Sequence, residues 1–154
     1  MKPINTIDRK IPGRNRRSQT GHAFLEMALY APMLFFLFAG TLDWGFYSYA
    51  LITTQNAARV AAEYTSGGPT TASDSANACT IVLDVMRKLP NVGTSTTSCG
   101  SGVVGVNAIS TTGSDGSAAS QVSVTYRSLT MIPIPGILTN QLNVTRSVKM
   151  RLRS

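Results

Sequence analysis

The sequence predicts an α+β protein: a long N-terminal membrane-spanning helix continues outward into a small domain, in which one further helix lies on a short antiparallel β-sheet. Three observations lead there. A nearly unbroken apolar run fills residues 23–42. A shorter segment between residues 73 and 88 places apolar side chains at helical spacing. Two segments near the C-terminus alternate apolar and polar residues, the period of a half-buried strand.

The N-terminal segment is defined by charge. The chain of 154 residues has a formal net charge of +7, which by itself would suggest a nucleic-acid binder. The charge is not spread over the chain. Residues 1–21 hold Lys2, Arg9, Lys10, Arg14, Arg16 and Arg17 against Asp8 alone, whereas the remainder carries 8 basic and 6 acidic side chains. A local basic cluster directly before an apolar run is a positive-inside signal, and it places the N-terminus in the cytoplasm. Pro3, Pro12 and Gly13 interrupt this segment and no apolar period runs through it, so it should be disordered or removed.

The apolar run is 20 residues with Glu26 as its only charge. As a helix it is about 30 Å long, enough to cross a bilayer. Trp44, Phe46, Tyr47 and Tyr49 follow at its far end, as in an interfacial aromatic belt. A buried helix of a soluble protein would lack the flanking charge cluster and the density of "MLFFLF". A cleavable secretory signal has the same basic start, but its core is shorter. No clear A-x-A site follows here, and the helical pattern continues through "ALITTQNAARVAAEYT". The predicted helix runs from His22 to about Thr65, with Pro32 as a kink point and Gly40 and Gly45 as weak spots.

Beyond the membrane this helix is amphipathic. Gln55, Asn56, Arg59 and Glu63 lie on one side, and Ala57, Ala61 and Tyr64 line another. The pairs Ala57/Ala61 and Ala58/Ala62 have the small-residue spacing that lets another backbone come close, although alanine's helix propensity explains them equally well. "SGGPTT" ends the helix. The second helix is expected from Ser73 as N-cap to Lys88, with Val82, Leu83, Val85, Met86 and Leu89 inward and Pro90 as its stop. Residues 93–120 contain 18 Ser, Thr or Gly among 28, which predicts loops around one short strand over residues 103–109. In "QVSVTYRS", Val122, Val124 and Tyr126 alternate with polar residues. In "LNVTRSVKMRL", Leu142, Val144, Val148, Met150 and Leu152 share a face on which Arg146 is the exception. "MIPIPGI", with two prolines, reads as a connection or an edge.

Cys79 and Cys99 fall in the part that this topology sends outside, where an oxidising compartment favours a disulfide over two free thiols. Without a C-x-x-C pair or a second histidine, no metal site is expected.

Glu26 is the anomaly of the apolar run. It either reaches back to the cytoplasmic headgroups, which costs little, or is buried and needs a positive partner. Basic residues, then Gly21, then four residues, then Glu26 at the head of an apolar helix resembles the processing region of type IV pilins and pseudopilins. The stretch from Gly21 to Thr65, with Glu26, Pro32, the "DWG" of residues 43–45 and "NAARVAAEYT", is similar to the TadE-like family of minor pilins of the tight-adherence (Flp) pilus system. That resemblance implies cleavage after Gly21 by a prepilin peptidase, leaving His22 as the first mature residue and Glu26 as the fifth. The glutamate would then meet the new N-terminal amine of a neighbouring subunit. Glycine suits a protease subsite because its backbone extends without a side-chain clash.

The expected organisation is a basic cytoplasmic leader over residues 1–21, a spanning helix over 22–44, an amphipathic extension over 45–66 and a small periplasmic domain over 67–154. The implied location is a bacterial inner membrane, crossed once. The implied partners are the prepilin peptidase, other pilin or pseudopilin subunits, the inner-membrane pilus-assembly platform and membrane lipid. No cofactor, nucleic acid or small-molecule substrate is expected. Catalysis is disfavoured on chemical grounds: the sole histidine, His22, lies across the membrane from the outer domain. Asp43, Glu63, Asp74, Asp84 and Asp115 show no pairing pattern. The alternative is an uncleaved single-pass envelope protein that binds partners through its outer domain. Arg146, Lys149, Arg151 and Arg153 could hold an acidic polymer, but a charged edge strand that resists sheet-to-sheet pairing explains them as well.

Overall fold

The structure is a computed structural model, and residues 17–94, 96–100, 102–129 and 141–153 are described. Five elements follow one another: α1 (Arg17–Thr65), α2 (Ser75–Met86), β1 (Val104–Thr112), β2 (Ala118–Arg127) and β3 (Asn143–Arg151). This is an α+β architecture. The chain divides into two compact units, residues 1–39 and residues 40–154. Residues 1–16 of the expected 1–21 leader and the proline-containing connection expected within residues 130–140 lie outside the described residues.

In the first unit, α1 is helical from Arg17, five residues earlier than the sequence suggests, and Gly21 and Pro32 both lie inside it. Side chains 21–38 are exposed all round, including Phe24, Leu25, Phe35 and Phe36. A helix whose exposed side chains are apolar nearly all round, with His22 and Glu26 as the exceptions near its start, is stable where its surroundings are lipid. By length and composition it is sufficient to cross a membrane.

In the second unit, α1 becomes one wall of a packed core. Ala50, Ala57, Ala58, Ala61 and Ala62 are buried in one cluster with Val82, Leu83 and Met86 of α2 and with Val104, Val122, Val124 and Tyr126 of the sheet. The small-residue pairs expected as candidates for contact with another chain are therefore occupied by this chain's own core. Tyr64, expected beside them, is partly exposed and directs its hydroxyl at Asp74 Oδ2, 3.4 Å away. The last turn of α1 satisfies its free carbonyls with hydroxyls: Thr65 Oγ1 donates to Ala62 O and Ser66 Oγ to Glu63 O.

The N-cap of α2 is Asp74, one residue later than expected. Its carboxylate accepts from Asn77 N at 3.0 Å and from Asn77 Nδ2 at 2.7 Å. A carboxylate at this position satisfies a free amide and complements the helix dipole, which a serine hydroxyl does less well. These bonds from Asn77, foremost its backbone N–H, hold the Asp74 pKa below the usual carboxylate value. The helix ends at Met86, two residues early, and Leu89 N→Met86 O and Val92 N→Leu89 O continue the chain as turns. A disulfide joins Cys79 in the core to Cys99 in the following loop, with a Cα–Cα distance of 5.8 Å.

The sheet has the order β1-β2-β3, both pairs antiparallel. Val104, Tyr126 and Val144 pair in one row, and Ala108, Val122 and Val148 in another, all on the inner face. β1 continues to Thr112, three residues past the predicted end, because Ser110 and Thr112 pair with Ser120 and Ala118 across a hairpin. The turn needs Gly116 at φ +78°, a conformation other residues adopt only with strain. Asp115 fastens it by accepting from Ser117 Oγ and N, which lowers the Asp115 pKa, with Arg151 Nη1 3.7 Å away. The outer face is a ladder of hydroxyls, Ser123 to Ser147 at 3.0 Å and Thr125 to Thr145 at 3.1 Å.

Two polar links lock the layers together. The buried Ser120 hydroxyl lies 2.8 Å from Thr65 Oγ1 and 2.9 Å from the Ala72 carbonyl, tying β2 to the end of α1. Tyr126, fully buried, donates to Asn91 Oδ1 at 2.6 Å, and Asn91 Nδ2 donates to Arg127 O at 2.6 Å. Burial pushes the Tyr126 phenol pKa up.

Candidate functional site

Gly21, His22 and Glu26 all lie within the first turns of the exposed apolar part of α1. Helical geometry sets His22 and Glu26 four residues apart on one face, separated by about one turn, or 5–6 Å along the axis. Gly21 is five residues before Glu26, about 140° away around the helix. A Cβ at Gly21 would meet nothing within 4 Å. Its lack of a side chain therefore serves no packing need inside this chain. Glu26 is exposed and makes no ion pair among the described residues. In lipid such a carboxylate costs about 2.5–3.5 kcal/mol on insertion scales unless a cation or the headgroups compensate it.

Asp43 is a second carboxylate on α1, marked in the sequence as part of "DWG" and as one of the scattered carboxylates without a pairing pattern. Its Oδ2 is buried without a hydrogen-bond partner among the described residues. It lies next to Trp44, which is exposed, at the outer end of the apolar run.

A third feature belongs to the second unit. The outer part of α1 and strand β3 border a groove of about 480 Å³, lined among the described residues by Leu51, Ile52, Gln55, Asn56, Arg59 and Arg146. Arg59 Nε lies 3.4 Å from Glu63 Oε1, an exposed i, i+4 pair. Such a pair is worth a few tenths of a kcal/mol, about 0.3–0.5, so it leaves the guanidinium available. Arg146, the exception on its strand face, lines this groove from the inner side of β3, opposite Val124. Its signal in the sequence was the break in the apolar alternation; Gln55, Asn56 and Arg59 carried only the pattern of a solvated helix face.

Among the described residues no group of three His, Cys, Asp or Glu side chains could hold a metal ion. Cys79 and Cys99 are joined to each other.

No curated protein and no solved structure matches the chain significantly. Residues 21–63 match the family model of TadE-like protein. The match starts at Gly21, includes Glu26 and the exposed apolar helix, and ends in the alanine-rich segment that enters the core. Over this helix, from Gly21 to Glu63, the chain is similar to TadE-like proteins.

Proposed function

We propose that the protein is a minor pilin or pseudopilin that takes part in assembly of a tight-adherence, Flp-type pilus. In this reading α1 crosses the bacterial inner membrane with the N-terminus in the cytoplasm and the α+β domain in the periplasm. A prepilin peptidase removes residues 1–21, and the helix then associates with other pilin subunits at the assembly platform. The observation that supports this best is Glu26, five residues after Gly21 at the head of an exposed apolar helix, within a TadE-like segment.

The chemistry is coherent. Cleavage after Gly21 leaves an ammonium on His22 beside the bilayer. An ammonium and a carboxylate in a low-dielectric layer each lower the other's desolvation cost, and the pair fixes the register between neighbouring helices. Because Ala57, Ala58, Ala61 and Ala62 face this chain's own core, the contact between subunits falls to the exposed apolar part of α1 and to Glu26.

A second reading has its own support. Gly21 is helical within α1 in the uncleaved chain, whereas peptidases act on extended backbone. Cleavage thus requires the first turns to open. Glycine eases this by about 1 kcal/mol relative to alanine. If the turns stay closed, the protein remains an uncleaved single-pass anchor for a partner-binding domain.

Intact mass of the membrane-extracted protein, with and without the cognate prepilin peptidase, separates the two. The pilin reading requires loss of residues 1–21 when the peptidase is present; retention assigns the anchor role. Glu26→Ala should leave insertion unchanged and reduce pilus formation, and normal pili from this variant would remove the role given to the carboxylate.

A further inference from the structure

The groove between α1 and β3 has a composition that the pilin reading does not use. Edge-strand residues facing inward are expected to be apolar, and Val144 and Val148 beside Arg146 are. Arg146 is exposed and makes no ion pair among the described residues. Arg59 faces the same space, and the exposed amides of Gln55 and Asn56 line it from α1 as well. Leu51 and Ile52 complete the lining, with Ile52 71% exposed to solvent. Two guanidinium groups, two amides and an apolar strip together match a ligand that carries carboxylates along one side and apolar groups along another.

We propose that this groove docks an acidic amphipathic helix of a partner protein, its carboxylates on Arg59 and Arg146 and its apolar side on Leu51 and Ile52. That the partner is another pilus subunit rests on the function proposed above; the chemistry of the groove does not. Position along α1 argues against lipid as the occupant. With Trp44 at the membrane surface, Ile52 lies about 12 Å and Arg59 about 22 Å further out along the helix. The headgroup layer reaches only about 5–8 Å beyond the hydrocarbon. A second copy is disfavoured by charge, since a two-fold contact through this groove would set the Arg59 and Arg146 cations of one copy against those of the other.

The test uses the full chain in lipid nanodiscs and a fluorescent helical peptide of Leu, Ala and Glu, with the glutamates on one face. The control peptide has Gln at each Glu. Saturable binding is expected for the acidic peptide and not for its control. Arg146→Gln and Arg59→Gln should each weaken binding about two- to fivefold, and the double variant about tenfold or more. Ile52→Glu, which adds a like charge to the docking surface without touching β3, should abolish it. Lys149→Gln removes the same charge from the outer face of β3 and should change nothing. An unchanged melting temperature for each variant shows that the domain is intact. Absence of binding, or equal loss with Lys149→Gln, overturns the proposal. So does tighter association of the chain with phosphatidylglycerol than with phosphatidylcholine vesicles that Arg146→Gln removes, which assigns the groove to lipid. Self-association that disappears in Arg146→Gln assigns it to a second copy, with the same consequence.

Discussion

Replacing both cysteines, Cys79→Ala with Cys99→Ala, probes how the outer domain is held closed. The two residues are 20 apart in sequence, and the bridge ties α2 to the loop that precedes β1. Closing a loop of that length in the unfolded chain removes conformational entropy worth about 3 kcal/mol. For a domain of this size each kcal/mol moves the midpoint by about 4–8 °C, so the variant should melt about 12–24 °C lower. Cys79 belongs to the buried cluster with Ala78, Val82 and Met86, and alanine there avoids burying a hydroxyl that has no partner. Thermal melts of the detergent-extracted protein, followed in the near-ultraviolet where Tyr126 and its neighbours report packing, measure the effect. A shift below about 5 °C would refute the reasoning. It would mean that Thr96 N→Val92 O and Gly100 N→Val104 O already order the loop, and that the bridge constrains little. The same cysteines report location. Alkylation in intact cells should find no free thiol if the domain is periplasmic, and labelled thiols would place it in the cytosol.

Three further predictions rest on the core and its polar links. Tyr126→Phe leaves Asn91 Oδ1 without its donor and should cost about 1 kcal/mol in a denaturant melt, with Asn91→Ala adding less than its own single effect. Ala61→Leu forces a larger side chain into a site with no exposed surface and should destabilise the outer domain by about 1–3 kcal/mol, while leaving membrane insertion unchanged. Stability against pH should be flat between two edges. Asp74 and Asp115 have lowered pKa values, so their contribution is present above the ordinary value of 3.8 and is lost as pH falls below it. Tyr126 has a raised pKa, so its contribution is intact below the ordinary value of 10.0 and is lost as pH rises beyond it; Tyr126→Phe should flatten that alkaline edge.

The elements that were legible in the sequence are those whose burial is one-sided. Val122, Val124 and Tyr126 alternate cleanly because β2 is the central strand, with one face in the core and one carrying hydroxyls. The apolar run of α1 was legible because no charged residue except Glu26 interrupts it. What was missed depends on pairing and geometry that the pattern of apolar residues does not encode. Ser110–Thr112 have no apolar signal and become strand only by pairing with Ala118–Ser120. The alanines at 57, 58, 61 and 62 suit a core and a helix–helix seam equally well, and only the sheet beyond them decides between the two. Capping by Asp74 and not Ser73 turns on a single residue's geometry, below what spacing can separate. At the candidate site, Gly21 and Glu26 stood out through their context. The grouping of Arg59 with Arg146 was invisible, since 87 positions separate them in the chain and nothing local links them.

The backbone N–H of Arg153 donates to the Ser66 carbonyl at 2.8 Å, so the polypeptide re-joins the helix at the point where it left it. Ser66 is 22 positions past Trp44, which puts that junction about 33 Å up the rod. Anything spliced after the C-terminus, an epitope or a fluorescent reporter, would start beside the C-terminal end of α1, away from Leu51 and Ile52. Traction on such a cargo would first strain the Arg153–Ser66 hydrogen bond and then peel β3 from β2, so the sheet's edge would set the resistance in single-molecule pulling.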